Sequence, residues 1–418
     1  MEEDEKMKPE IKQRIEQIKA GQVPDGYKRT KIGVIPAEWN ICKLKDVLEK
    51  QTKKNKDNIV KNVLTNSAAK GIVSQTDFFD KQIANSDNIS GYYIVKNGYF
   101  VYNPRISVSA PCGPFNKYYG EKDGIMSPLY TVYKYKDASE YYSEFLSLYF
   151  SGSSWYSYMN SIANYGARSD RMNVTSADMD NMPFPYPPLA EQEKIAKVLS
   201  TQDRIIELYQ RKIEELQKLK KVYLSKMFPK KGKNVPECRF PQFTDPWEQR
   251  KLGDLFKIRN EKNGNKYTRE NVLAVSDAYG CVNQISFHGR SFAGEDISNY
   301  KVVHTGDIVY TKSPLQAKPY GIIKIVGEEI GIVSPLYVVN ETKEQINPMF
   351  MYYLFDTADR TNNYLKHLVR KGAKNTMNIS NEEWLSGIVT ISPNEQEQIK
   401  IGYLFQHLDN LITLHQRK

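Results

Sequence analysis

Between Pro187 and Met227 the apolar positions fall on a 4-3 ladder: Ile195, Leu199, Ile206, Tyr209, Ile213, Leu216, Tyr223 and Met227, with Gln202 and Lys220 as its polar rungs. A seam with this 3.5-residue period predicts a helix packed lengthwise on another helix. At 1.5 Å per residue a helix from Glu191 to Met227 is roughly 55 Å long, which suits a spacer between two bodies. Before it, from Lys31 to about Pro185, the pattern is one of short β-rich runs with turn signals, such as Tyr92-Tyr93-Ile94-Val95, Tyr99-Phe100-Val101-Tyr102 and Leu129-Tyr130-Thr131-Val132-Tyr133. A helical piece from Ser143 to Phe150 follows them. After the helix come a polar linker at 228–246, a second β-rich region from Trp247 to about Thr390, and a closing helix from Asn394 to Lys418. At the start, Ile11, Ile15 and Ile18 predict a short helix ended by Gly21 and Pro24.

The two halves are copies of one another. Pro187, Glu191, Gln192, Lys194, Ile195, Asp203, Ile206, Leu208, Gln210, Arg211 and Lys212 recur 206 positions later as Pro393, Glu397, Gln398, Lys400, Ile401, Asp409, Ile412, Leu414, Gln416, Arg417 and Lys418. The β-rich regions match collinearly. Trp39, Leu44 and Asp46 pair with Trp247, Leu252 and Asp254, and Ser127-Pro128-Leu129-Tyr130 pairs with Ser334-Pro335-Leu336-Tyr337. The chain is therefore a tandem duplication of a globular domain followed by a long helix.

A duplicated unit is expected to fold with pseudo-twofold symmetry. The expected fold is α/β (α+β), with two globular domains joined by two long antiparallel coiled-coil helices. The expected boundaries are an N-terminal helical arm at 1–30, a first domain at 31–186, a spacer helix at 187–228, a linker at 229–246, a second domain at 247–392 and a C-terminal helix at 393–418. Because Lys418 corresponds to Lys212, the second helix lacks a counterpart of Ile213–Met227. The N-terminal segment is expected to fill that place, and whatever packs on Lys220 is expected to come from that segment or from another chain.

Composition narrows the function classes. The 418 residues are 40% hydrophobic and 26% charged, ordinary for a globular protein. No apolar run reaches the roughly 18 residues of a membrane span, and the polar start MEEDEKMKPE has no signal core, so the expected location is the cytoplasm. The four cysteines (Cys42, Cys112, Cys238, Cys281) are far apart and read as reduced structural thiols. A formal net charge of +10 is the footprint of a nucleic-acid binder.

A search for catalysis fails. The chain has no Gly-x-x-x-x-Gly-Lys-Ser/Thr loop, no Gly-x-Gly-x-x-Gly and no metal-ligand spacing. The five histidines all lie in the second half, without counterparts in the first. Asn181-Met182-Pro183-Phe184 departs from the Asn-Pro-Pro-Phe signature of adenine methyltransferases at its first proline, and no glycine-rich AdoMet loop accompanies it. No catalytic or metal residue is assigned.

Polar and basic loops recur instead at equivalent places in the two β-rich regions. The candidate DNA contacts of the first are Lys53, Lys54, Lys56, Arg105, Ser107, Tyr165, Arg168 and Arg171; those of the second are Lys262, Lys266, Lys312, Ser313, Gln316, Lys371, Lys374 and Asn375. Arg and Lys pair with guanine edges, Asn and Gln with adenine, and Ser and Lys with phosphates. Framework residues match between the copies while loop residues differ, as expected of two scaffolds that read two different short sequences about one helical turn apart. On the helices, Glu191, Gln192, Lys194, Arg211, Glu397, Gln398 and Arg417 are the candidate partner-binding residues. Residues 191–233 hold 12 Lys/Arg against 6 Asp/Glu.

With these features the chain resembles the specificity (S) subunit of type I restriction-modification systems. The resemblance rests on Pro188-Leu189-Ala190-Glu191-Gln192-Glu193-Lys194-Ile195, Leu414-x-Gln416-Arg417-Lys418, Lys226-Met227-Phe228-Pro229 and Trp247-Glu248-Gln249-Arg250-Lys251-Leu252-Gly253-Asp254. It implies two target-recognition domains, each reading one half of a split DNA site, on helices that dock two methyltransferase (modification) subunits. Restriction/translocase subunits complete the assembly, with AdoMet, ATP and Mg on the partners and no cofactor or catalysis on this chain. Two other readings are a self-contained nuclease or methyltransferase with degenerate motifs, and a coiled-coil scaffold whose β-rich domains bind proteins.

Overall fold

The computed structural model describes residues 7–78, 89–136, 141–163, 170–328, 330–371 and 377–416. It separates into two compact units, Met1–Ile205 and Ile206–Lys418. The first is built on a four-stranded antiparallel sheet in the order Leu48–Lys50, Thr131–Tyr135, Phe100–Tyr102, Phe115–Lys117. All three residues of the strand Phe100-Val101-Tyr102 are buried. Alternation along the strand sends Phe100 and Tyr102 into an aromatic core with Phe115, Tyr133, Phe150 and Trp155, and Val101 to the other face with Val95, Leu64, Met126 and Val132. Burial on both faces is why these strands read as unbroken apolar runs.

The second unit repeats this plan. Its sheet has the order Phe256–Ile258, Val338–Thr342, Ile308–Tyr310, Ile323–Ile325. Ile308 and Tyr310 join Ile323, Val338 and Trp384 on one face, while Val309 joins Leu273, Val303, Val333 and Val339 on the other. The smaller pairs also correspond. Leu64–Ser67 with Gly71–Ser74 matches Leu273–Ser276 with Gly280–Asn283, and Tyr93–Val95 with Gly124–Met126 matches Lys301–Val303 with Gly331–Val333. The named strands pair antiparallel and the helices pack beside them, an α+β construction.

The long helix runs Leu189–Lys226 and the C-terminal helix Glu395–Gln416. Each start is fastened to the domain before it by the same bonds. Trp39 Nε1 donates to Glu191 Oε2 at 3.0 Å, and Trp247 Nε1 to Glu397 Oε2 at 3.2 Å. Gln192 accepts from Tyr142 N at 2.9 Å and donates to Pro187 O at 2.8 Å. Gln398 accepts from Asn347 N at 3.0 Å and donates to Ser392 O at 2.9 Å.

Within the second unit the two helices run antiparallel: Tyr209 meets His415, Lys220 meets Asp409, and Phe228 meets Phe405. The ladder divides. Leu216 and Met227 are buried in this packing with Ile401, Phe405, Leu408 and Ile412, whereas Leu199 and Ile206 are 45% and 53% exposed. Lys220 corrects the expectation made for it. Its ammonium lies 2.8 Å from Asp409 and 3.2 Å from Asp356, so its partners come from the second copy itself.

The N-terminal helix forms over Pro9–Lys19 with none of its residues buried. Beyond it, Gly21-Gln22-Val23-Pro24 resembles Gly232-Lys233-Asn234-Val235-Pro236: both glycines have positive φ, both valines are exposed and both prolines buried. The duplication thus extends into the start of the chain.

Candidate nucleic-acid interface

Two matched loops begin the site. In each, a buried asparagine pins a lysine-bearing turn to itself. Asn55 donates to Val60 O at 2.8 Å and accepts from Val60 N at 3.1 Å. Asn263 donates to Tyr267 O at 3.1 Å and accepts from Tyr267 N at 2.9 Å. With the amide inside, Lys53, Lys54 and Lys56 in one copy and Lys262 and Lys266 in the other are left exposed. Lys266 is compensated by Glu261 at 2.5 Å. Hydrogen bonds from Lys266 and His304 hold the Glu261 carboxyl down at about 2.

The second loops follow the central strand. A tyrosine hydroxyl closes each: Tyr102 donates to Cys112 O at 3.0 Å and Tyr310 to Tyr320 O at 2.7 Å. A glycine ends each with positive φ, and a Cβ there would strike backbone or a ring: Asn103 O at 2.1 Å for Gly113, and the Tyr310 ring at 2.8 Å for Gly321. In the first unit this loop pairs with the segment at 170–172, through Ile106 N to Asp170 O at 3.0 Å and Met172 N to Pro104 O at 2.9 Å. Arg105, bridged to Arg171, therefore shares one edge with it and with the exposed Ser107. Tyr165 and Arg168 lie outside the described residues.

In the second unit the loops enclose a cleft of about 1000 Å³ lined by Lys301, Lys312, Ser313, Leu336, Tyr337 and Arg370 among others. Lys312 donates to Ile379 O at 2.8 Å and Lys301 to Tyr337 O at 2.5 Å. Both ammonium groups bond carbonyls rather than carboxylates. Burial pushes both below the ordinary lysine range; Lys312 pushes Lys301 further, while Glu383 offsets the shift at Lys312. Two half-buried cations facing a polar cleft favour an anion there. Arg370 stands at the rim, 3.2 Å from Glu383, and Gln316 is exposed at the loop tip. The backbone of Lys371 pairs with Met377. The Lys371 side chain, Lys374 and Asn375 lie outside the described residues.

Lys301 was missed by sequence reasoning. Its strand bridges Lys262, so it joins the first loop to the cleft, but its counterpart in the first copy is Tyr93 and nothing in the sequence marks it. Leu336 was read only as framework. It and its match Leu129 are 75% and 62% exposed at the tips of identical Ser-Pro-Leu-Tyr turns.

The helix candidates divide by burial. Gln192, Glu397 and Gln398 are 1%, 0% and 1% exposed. That removes them from a docking surface and makes them fasteners of helix to domain. Glu191 is half-buried against Trp39; Lys194 and Arg211 are exposed. Arg417 lies outside the described residues. Among the described residues no grouping of His, Cys, Asp and Glu could hold a metal ion, and no helix is long and apolar enough to cross a membrane.

Residues 36–218 match the family described as the type I restriction modification DNA specificity domain. The chain is 22% identical to a putative type I restriction enzyme MjaX specificity subunit of Methanocaldococcus jannaschii, over 94% of this chain and 92% of that one. It is 25% identical to the type I restriction enzyme MjaVIII specificity subunit of the same organism, over 59% of this chain and 60% of the other. Its fold is similar to that of a type I restriction-modification system S subunit from M. genitalium, with a TM-score of 0.53, 14% identity and 91% of each chain covered.

Proposed function

We propose that this chain is a type I restriction-modification specificity subunit that reads a bipartite, asymmetric double-stranded DNA target with a non-read spacer. Each target-recognition domain contacts one half-site. The observation that carries this reading is the matched pair of domains, each offering a pinned lysine loop and a second basic loop from the same strand, with different side chains in each. Lys53, Lys54, Lys56, Arg105, Ser107 and Arg171 serve one half-site, and Lys262, Lys301, Lys312, Ser313, Gln316 and Arg370 the other.

The chain recognises and does not catalyse. The helices dock two methyltransferase subunits through exposed residues such as Lys194 and Arg211; Val198, exposed at 58% beside them, supplies apolar area for such a contact. AdoMet, ATP and Mg belong to the methyltransferase and restriction subunits, and the assembly works in the cytoplasm.

A mobility-shift titration with random-sequence duplex DNA, with and without the methyltransferase partner, tests the reading. Binding is expected, and its absence under both conditions sinks it. Exchanging residues 31–185 for those of a relative is expected to change one half-site only, as mapped by sequencing methylated adenines; a change in both would refute the modular assignment.

A further inference from the structure

Six side chains of the second unit alternate in sign along one path. Lys318 Nζ lies 2.7 Å from Asp277, which lies 3.3 Å from Lys324. Lys324 is 3.8 Å from Asp356, Asp356 is 3.2 Å from Lys220, and Lys220 is 2.8 Å from Asp409. Tyr353 closes the far end, donating to Asp409 at 2.8 Å. The ammonium groups of Lys324 and Lys220 lie over the rings of Tyr352 and Tyr353, at 5.6 and 5.4 Å. The path begins in the loop after the central strand, passes through the Ser276–Gly280 turn, the sheet and the end of the helix Pro348–Phe355, and finishes on the two long helices.

Its first member occupies a particular place. Residues 312–317 are half-buried to exposed, and Lys318 is their buried foot, with a side chain 7% exposed. The Lys318 backbone also closes the loop: its N–H donates to Leu315 O at 3.1 Å, and its carbonyl accepts from Leu315 at 3.0 Å and from Gly321 at 3.1 Å. The direction of Lys312, Ser313 and Gln316 therefore depends on where Lys318 is held, and its ammonium is held by Asp277.

The first unit does not repeat the arrangement at the matching places. The loop closures Tyr102–Cys112 and Tyr310–Tyr320 place Ala110 where Lys318 stands. Ala68 follows Ser67 where Asp277 follows Ser276. Asn116 faces Val101 as Lys324 faces Val309, and it donates to Asn66 at 2.7 Å, a neutral contact in place of an ionic one.

We infer that Asp277 and Lys318 are positioning residues that set the half-site preference of the second domain without touching DNA, by fixing the loop that carries Lys312, Ser313 and Gln316. The inference rests on the DNA-reading function proposed above. A buried lysine deprived of its carboxylate is uncompensated and turns toward water, carrying the loop with it.

The test uses the full chain, with its methyltransferase partner if binding requires one, to select from random-sequence duplex DNA that is sequenced before and after. Asp277→Asn and Lys318→Met are expected to lower enrichment at one half-site by roughly fivefold or more, the scale of one base-reading contact. The other half-site is unchanged, and Lys318→Arg restores the preference. Unchanged enrichment, or an equal fall at both half-sites, overturns the inference. If the wild-type chain enriches no sequence, the proposed function fails instead, and amide exchange decides the positioning. Residues 312–321 should exchange roughly tenfold faster in both variants, and exchange at the wild-type rate overturns it.

Discussion

Trp247 donates its indole N–H to Glu397 at 3.2 Å, 150 positions further along the chain. Glu397 has no solvent exposure, and Arg239 meets both its oxygens, at 2.6 and 2.9 Å. The matching bond in the first copy, Trp39 to Glu191, is half-buried. The two fasteners should therefore respond unequally. Arg239→Ala strands a buried charge and should cost about 3–5 kcal/mol, whereas Trp39→Phe removes one hydrogen bond and should cost about 1 kcal/mol. Urea denaturation of the two variants checks the order; equal losses would contradict it.

The cleft lysines differ from the paired ones in what they can give to a phosphate. Lys301→Met and Lys312→Met should each make the slope of log affinity against log salt shallower by about 0.9. Lys266→Met should change it less, because Glu261 already neutralises that side chain. Duplex binding measured at four or five salt concentrations separates these outcomes.

Asn55 and Asn263 hold their loops by amide hydrogen bonds to both backbone groups of Val60 and of Tyr267. Alanine at either position should destabilise its unit by about 1–3 kcal/mol, the cost of stranding buried backbone groups. Each substitution should also open its own loop to trypsin, at Lys53, Lys54 and Lys56 or at Lys262 and Lys266. Cleavage at the wild-type rate would show that the pin is dispensable.

Asp277 supplies a pH test. Burial works against its charge, but Lys318 and Lys324 outweigh burial and hold the carboxyl below its ordinary range. A depressed carboxyl stabilises the fold above the unfolded value of about 3.9 and ceases to do so as pH falls through the folded value. The gap in melting temperature between wild type and Asp277→Asn should be full at pH 6 and narrow below about pH 4. A gap that widened on acidification would reverse the sign.

Much of this was legible in the sequence, because duplication leaves its framework in plain register. The tryptophans Trp39 and Trp247, the glutamates Glu191 and Glu397 and the Ser-Pro-Leu-Tyr turns all recur in register. The Glu-Gln block was misread because polar helix residues were assigned to solvent. Gln192 shares the helical face of Ala196, which is buried, so that side of the first turn meets the domain. Arg239, which neutralises Glu397, is 158 positions away from it, beyond any periodicity. The partners of Lys220 were missed for a related reason: Asp409 has the exposed Asp203 as its match in the first copy, so nothing in the repeat marks it as one half of an ion pair.

The alternating charges of the second unit bear on how such proteins could be recombined. Asp277, Lys318, Lys324 and Asp356 belong to the second globular domain, but Lys220 and Asp409 belong to the helices. A second domain moved as residues 247–392 leaves behind Lys220, which pairs with Asp356, and Asp409, which accepts from Tyr353. The first domain has Ala68, Ala110 and Asn116 where the second has Asp277, Lys318 and Lys324, so its side of the path carries no charge at those three places. New specificities should therefore be easier to graft at the first position than at the second, unless Lys220 and Asp409 travel with the cassette.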